Sequence, residues 1–228
     1  MNPGVAWAFA PGRVNLLGDH TDYVGGLAIP MAIDLGTRVE GRRGGSVIRL
    51  SSTWSREAAE IPLHVDDPRS VEPEWARYIA GVASELAALG VELTGFTGIV
   101  RSTVPVGAGL SSSAALEVAT ALALGFEGSD RALAELAQRA EHRASGVPCG
   151  IMDQLTAACG VAGHALLMDF TSGSVEPVPV PDTAEVVVVH SGQDRSLTGT
   201  AYAQRRDACL QAVELLGHGH GAELGGVV

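Results

Sequence analysis

Three clusters hold the residue types that chemistry needs. The first is Pro105-Val106-Gly107-Ala108-Gly109-Leu110-Ser111-Ser112-Ser113-Ala114-Ala115, where glycines lead straight into an alanine-rich stretch with serines at its start. Glycine lets a backbone come close to a phosphate, the free N–H groups of a helix's first turn point at it, and the helix dipole adds about half a positive charge. The serines can cap that helix or offer hydroxyls to phosphate and magnesium. Taken alone, such a loop is more often a tight turn before an ordinary helix. The second cluster is Gly12-Arg13-Val14-Asn15-Leu16-Leu17-Gly18-Asp19-His20-Thr21-Asp22-Tyr23-Val24-Gly25-Gly26. Its carboxylates, imidazole and hydroxyls suit a ligand with many hydroxyls, because an ionised carboxylate accepts several hydrogen bonds. An Asp-rich turn capping a strand, with His20 satisfied by backbone, fits the same residues. The third is Ala140-Glu141-His142-Arg143, then Gly146-Val147-Pro148-Cys149-Gly150-Ile151-Met152-Asp153-Gln154: a helix end, a Pro/Gly turn and an acid. Here the plain alternatives are a solvated helix face for Glu141 and a helix cap for Asp153.

Elements of mixed type must position these clusters. Alternation of apolar and polar residues predicts strands over Gly36 to Arg42, Ser46 to Ser51 and Phe96 to Ser102. Trp75, Ile79, Val82, Leu86 and Leu89 recur at helical spacing and stop at Gly90. The stretch after Ser111 predicts a helix to Phe126, and Asp130 to Arg143 predicts another. Short strands follow over Ala165 to Phe170, Val175 to Val180 and Glu185 to His190, then a helix over Thr200 to Leu216. This order predicts an α+β fold rather than a doubly wound parallel sheet. The turn-rich Pro177 to Asp182 is the candidate boundary, dividing residues 1–181 from 182–228.

Composition removes several function classes. All fifteen basic residues are arginine, which excludes a Walker-type P-loop and a protein kinase, since each needs a lysine at the phosphates. A net charge of −11 with scattered arginines argues against nucleic acid. No apolar run reaches the ~18 residues of a membrane span, and the apolar Val5 to Ala10 lacks the basic flank of a secretory signal. A cytoplasmic location is the expectation. Three cysteines, Cys149, Cys159 and Cys209, form no CxxC pair and read as reduced thiols. The histidines of Gly217-His218-Gly219-His220-Gly221 read as a polar tail, not a metal site.

The glycine loop resembles the phosphate-binding motif P-x-x-x-G-L-S-S-S-A of the GHMP small-molecule kinases, a family that includes galacto-, homoserine and mevalonate kinases. The polar cluster is similar to the galactokinase signature G-R-x-N-L-I-G-E-H-T-D-Y-x-G-G, which the homoserine and mevalonate enzymes lack. The third cluster resembles A-E-H-x-x-x-G-x-P-C-G-I-M-D-Q, and Ser196-Leu197-Thr198 through Tyr202-Ala203-Gln204-Arg205-Arg206 is similar to S-L-x-x-x-x-Y-x-x-R-R. The resemblance runs from about Ala10 to Arg206. It implies ATP-dependent phosphorylation of galactose at its anomeric hydroxyl. It also implies that ATP's phosphates lie on Gly107, Gly109, Leu110, Ser111, Ser112, Ser113 and Ala114, and Mg2+ on Ser113 and Glu141. Asp153 is implied as the base, Arg13 as the cation beside it and the transferring phosphoryl group, and Asp19, His20, Asp22, Gly150 and Tyr202 as sugar contacts. His142 is expected to be structural.

The same resemblance implies the GHMP fold: a ribosomal-protein-like N-terminal lobe with a left-handed β-α-β crossover, and a ferredoxin-like C-terminal lobe. Two departures stand out. Asp19 replaces the signature's glutamate and reaches roughly 1.5 Å less far, which keeps open a related sugar such as a uronate or a pentose. The family's late glycine-rich motif has no counterpart before Gly225-Gly226-Val227-Val228, so the expectation is an incomplete second lobe with slow turnover, a sugar sensor without catalysis, or a remnant without function. The partners expected are galactose and ATP, with no nucleic acid and no membrane, and a monomer if the protein is complete.

Overall fold

A computed structural model of the chain describes residues 5–190, 192 and 200–216. The apolar run from Val5 and the start of the polar cluster form one strand, β1 (Val5–Asn15), whose inward residues Ala8 and Ala10 alternate with exposed Trp7 and Phe9. It lies antiparallel to β3 (Pro30–Arg43), and their register breaks between Pro11 and Arg13. Proline has no N–H for the ladder, and a bulge at such a point re-aims the next side chain. Here that side chain is Arg13.

The long β3 is the spine of an eight-stranded mixed sheet. Beyond it lie β6 (Phe96–Ser102), β4 (Val47–Ser52) and β5 (Ala59–Pro62) on one side. Along the same edge, at its Met31 end, β3 pairs with β7 (His164–Asp169), to which β2 (Leu27–Ala28) and β8 (Ser174–Pro179) are joined, while β1 holds the opposite edge. The pairing of β4 with β6 is parallel. Parallel neighbours need a crossover, and α1 (Ala76–Ala88) provides it.

Helices α1, α2 (Ser112–Leu124) and α3 (Asp130–Ser145) form the second layer. Ile79, Val82 and Leu86 of α1 are fully buried as their spacing predicts, whereas Leu89, just past the helix end, is exposed. Gly81 allows a close crossing, since a Cβ there would stand 2.5 Å from the Ala140 carbonyl oxygen of α3. The alanine-rich α2 is apolar nearly all round, the mark of a buried helix, and it touches β1, β3, α1 and α3. Ile48, Leu50, Phe96 and Val100 of the sheet close the main core against Val118, Leu133 and Leu136.

The Pro/Gly turn read over residues 146–151 is non-helical as expected, and from Met152 the acid lies in a short helix, α4 (Met152–Cys159). A second core of Ala28, Ala134, Met152, Leu155, Leu166 and Met168 holds it down. The helix predicted over Thr200 to Leu216 is present as α5 (Thr200–Leu216). The strand predicted over Glu185 to His190 is not formed, and Val187 and Val189 are among the exposed apolar residues. A strand needs a ladder, and no described strand pairs with this run. Pro177 to Pro179 of the candidate boundary lie within β8. No helix among the described residues is long and apolar enough to cross a membrane.

Candidate active site

The bulge in β1 sends Arg13 into a bidentate pair with Asp153 on α4: Nε donates to Oδ1 and Nη2 to Oδ2, both at 2.7 Å. Fork-to-carboxylate geometry of this kind fixes both groups in one plane. The remaining guanidinium nitrogen, Nη1, donates to the Gly109 carbonyl at 2.7 Å, and the Arg13 backbone N–H donates to the Leu110 carbonyl. One arginine therefore ties the polar cluster to both the glycine loop and the acid. Asp153 keeps about a third of its side chain exposed, so an incoming hydroxyl can reach it.

The serines do not cap α2. Ser111 sits at the cap in a left-handed conformation (φ 57°) with no capping bond, and its hydroxyl instead donates to Asp153 at 2.6 Å. Ser113 donates to Glu141 Oε1 at 2.9 Å. The first-turn N–H groups of α2 thus have no side-chain cap, which is the arrangement an anionic phosphate fits. Ala114, which the resemblance implies as a phosphate contact, is fully buried, backbone included. Gly107 and Gly109 both hold φ near +75°, at 77° and 74°.

Burial pushes Glu141 up to about 7, and the nearby charge of Asp153 adds to this; the bond from Ser113 works in the opposite direction. One carboxylate and one hydroxyl are a hard-oxygen donor pair. Mg2+ typically takes one or two carboxylates and draws its other ligands from water and substrate phosphates, so Glu141 and Ser113 fit that ion. Among the described residues no group of three His, Cys, Asp or Glu forms an all-protein metal cage.

The polar loop between β1 and β2 folds over the start of α4. Asp22 accepts from the Met152 N–H at 3.2 Å. Burial raises its carboxyl to about 6; that backbone bond opposes the rise, and the charge of Asp153 reinforces it. Gly150 is needed for this contact, because a Cβ there would lie 1.7 Å from Asp22 Oδ2. His20, itself at φ 63°, pairs through Nδ1 with the Tyr23 hydroxyl at 2.7 Å. Asp19 is exposed and accepts from Asn15 Nδ2 at 2.8 Å. His142 bonds the Cys149 carbonyl through Nε2 at 2.9 Å and, as expected, holds the turn.

Arg13, Asp153, Asp22, Gly150, the glycine loop, Ser113 and Glu141 are thus gathered around α4 and the start of α2. Tyr202 falls in α5, but its side chain lies outside the described residues, as do Ser196 to Thr198 and the histidines at 218 and 220. Sequence reasoning gave no role to Gln154 or Glu117, which lie buried behind Glu141. The signals were there: Gln154 follows the acid, and Glu117 is a charged residue in the middle of an apolar helix.

Two family models match the chain: GHMP kinases N terminal domain over residues 77–161, and the galactokinase galactose-binding signature over residues 2–43. The galactokinase of Chloroflexus aurantiacus is 46% identical over 222 residues, covering 94% of this chain and 56% of that protein. The Homo sapiens galactokinase is 42% identical over 91% of this chain and 56% of its own length. The chain spans about half the length of these curated relatives. Among solved structures, Lactococcus lactis galactokinase complexed with galactose superposes with a TM-score of 0.81 at 28% identity, over 93% of this chain and 57% of that one. The Methanococcus jannaschii mevalonate kinase shares the fold, with a TM-score of 0.64 at 23% identity over 79% of this chain and 57% of that one.

Proposed function

Because this chain belongs to the GHMP kinase family and carries its galactokinase signature, we propose that it transfers the γ-phosphoryl group of ATP to the anomeric hydroxyl of galactose. The observation that carries the reading is the Arg13–Asp153 pair, held between the glycine loop and the polar loop. Phosphoryl transfer depends mainly on in-line placement and on stabilising charge at the phosphate oxygens. Asp153 receives or orients the proton of the attacking hydroxyl, and Arg13 offsets negative charge on the transferring group.

Asp22, His20 and Asp19 face the sugar hydroxyls, with Gly150 and Tyr202 completing the pocket. ATP's phosphates rest on Gly107 to Ala114. Mg2+, held by Glu141 and Ser113, would neutralise charge on the phosphate oxygens. Residues 1–181 form the nucleotide- and sugar-binding lobe in this reading, and residues 182–228 begin a second. Asp19 favours a second reading with the same chemistry on a related sugar, since its carboxylate stands one methylene back from the position of the signature's glutamate.

The test is ATP consumption with galactose, galacturonate, arabinose and glucose, for the chain and for Asp153→Asn. Galactose-dependent turnover that falls by ~10²–10⁴ in the variant is expected, the usual contribution of a positioned acid or base. Absence of turnover with every sugar, in folded protein, refutes the activity for this chain.

A further inference from the structure

Behind the proposed metal ligand lies a buried polar chain that the reaction, as described, does not use. Glu141 Oε2 accepts from Gln154 Nε2 at 2.5 Å, while its Oε1 faces Ser113. The same Gln154 nitrogen donates its second hydrogen to Glu117 Oε2 at 3.3 Å. Gln154 and Glu117 are both fully buried. Glu117 Oε1 and Gln154 Oε1 find no protein partner, and neither does the Thr120 hydroxyl one turn along α2.

No arginine pairs with Glu117 among the described ion pairs. An ionised carboxylate left with one long amide bond in a dry interior would cost several kcal/mol, so the neutral acid is the form this site accommodates. Burial, with the Glu141 charge adding to it, pushes Glu117 well above the ordinary carboxyl range. A neutral acid still presents a carbonyl oxygen to Gln154. An amide nitrogen with both hydrogens engaged cannot rotate without breaking two bonds, so the carboxylate it holds is fixed as well.

We propose that Glu117 and Gln154 form a positioning relay that locks the Glu141 carboxylate so that its other oxygen faces Ser113 and the phosphate site. Asp153 and Gln154 are adjacent on α4, so one short helix supplies both the acid that meets the hydroxyl and the amide that sets the metal ligand. Both relay residues are fully buried behind Glu141, away from solvent. The metal part of the claim rests on the kinase reading; the geometry of the relay does not.

The experiment compares Glu117→Gln, Glu117→Leu and Gln154→Met with the parent chain. The first readout is Mn2+ binding, by electron paramagnetic resonance, in the presence of the β,γ-imido analogue of ATP. Glu117→Gln, which keeps a neutral acceptor, should bind within about twofold of the parent. Glu117→Leu and Gln154→Met should weaken binding by about tenfold, the usual effect of removing a ligand's supporting partner, with galactose affinity unchanged. Loss in Glu117→Gln equal to that in Glu117→Leu, or no loss in Gln154→Met, overturns the relay.

The second readout is solvent exchange of the Gln154 side-chain amide protons by NMR, assigned by their absence in Gln154→Met. Protection in the parent and in Glu117→Gln, lost in Glu117→Leu, supports the relay even if the parent holds no Mn2+, an outcome that would count against the kinase reading alone. Exchange in the parent as fast as in a surface glutamine refutes it. Should Glu117→Leu fail to fold, Gln154→Met and Glu117→Gln still decide the question.

Discussion

Replacing Asp22 with asparagine should make the protein more stable and less able to bind sugar. Asp22 is mostly buried, and its carboxyl is raised from 3.8 to about 6. At ~1.4 kcal/mol for each tenfold, holding this group ionised in the folded state costs up to about 3 kcal/mol relative to the unfolded chain. The sign follows from linkage. Below about pH 4 the acid is neutral in both states and there is no penalty. Between about pH 4 and 6 the unfolded chain ionises first, and stability is lost; above 6 the loss is constant. An asparagine carboxamide can still accept from the Met152 N–H, so the main structural bond to Asp22 is retained. Urea unfolding at pH 4 and pH 7.5 should therefore show parent and Asp22→Asn nearly equal at the lower pH, with the variant ahead by up to about 3 kcal/mol at the higher. Other titrating groups are common to both proteins and cancel. Calorimetry with galactose should show affinity reduced by about 10–100-fold, the size of a charged hydrogen bond. Equal stabilities at both pH values would refute the burial argument.

Three further outcomes follow. Gly150→Ala puts a methyl 1.7 Å from Asp22 Oδ2, so it should displace the loop and abolish galactose binding in the same calorimetric assay. Leu136→Ala removes a fully buried α3 side chain from the main core, and should cost about 2–5 kcal/mol in urea unfolding without altering which sugar is used. Asp19→Glu restores the longer carboxylate at an exposed position; it should leave the melting temperature unchanged and shift the ratio of kcat/KM between galactose and galacturonate.

Local pattern settled much of this protein. Glycines running into an alanine-rich helix, Ile79, Val82 and Leu86 at helical spacing, and alternation over Phe96 to Ser102 each declare an element within a dozen residues, and α1, α2 and β6 form where they point. Residue types left Asp153, Asp22 and Glu141 open between chemistry and plain caps, turns and helix faces, and the resemblance to the kinase motifs gave them, and Arg13, their roles. Tertiary structure decided which of them meet. Arg13 and Asp153 are 140 positions apart, and only the bulge in β1 and the second core beneath α4 bring fork and carboxylate into register. Glu185 to His190, with four consecutive valines, is β-branched enough for a strand, yet among the described residues no strand pairs with it. The serines at the start of α2 look like caps in sequence, but Asp153 and Glu141 claim the hydroxyls of Ser111 and Ser113. Glu117 stands out in sequence as a lone charge in an apolar helix, but only α4, through Gln154, places it behind Glu141. Propensity and periodicity act over neighbouring residues, whereas desolvation and hydrogen-bond partnership are set by what distant segments place alongside.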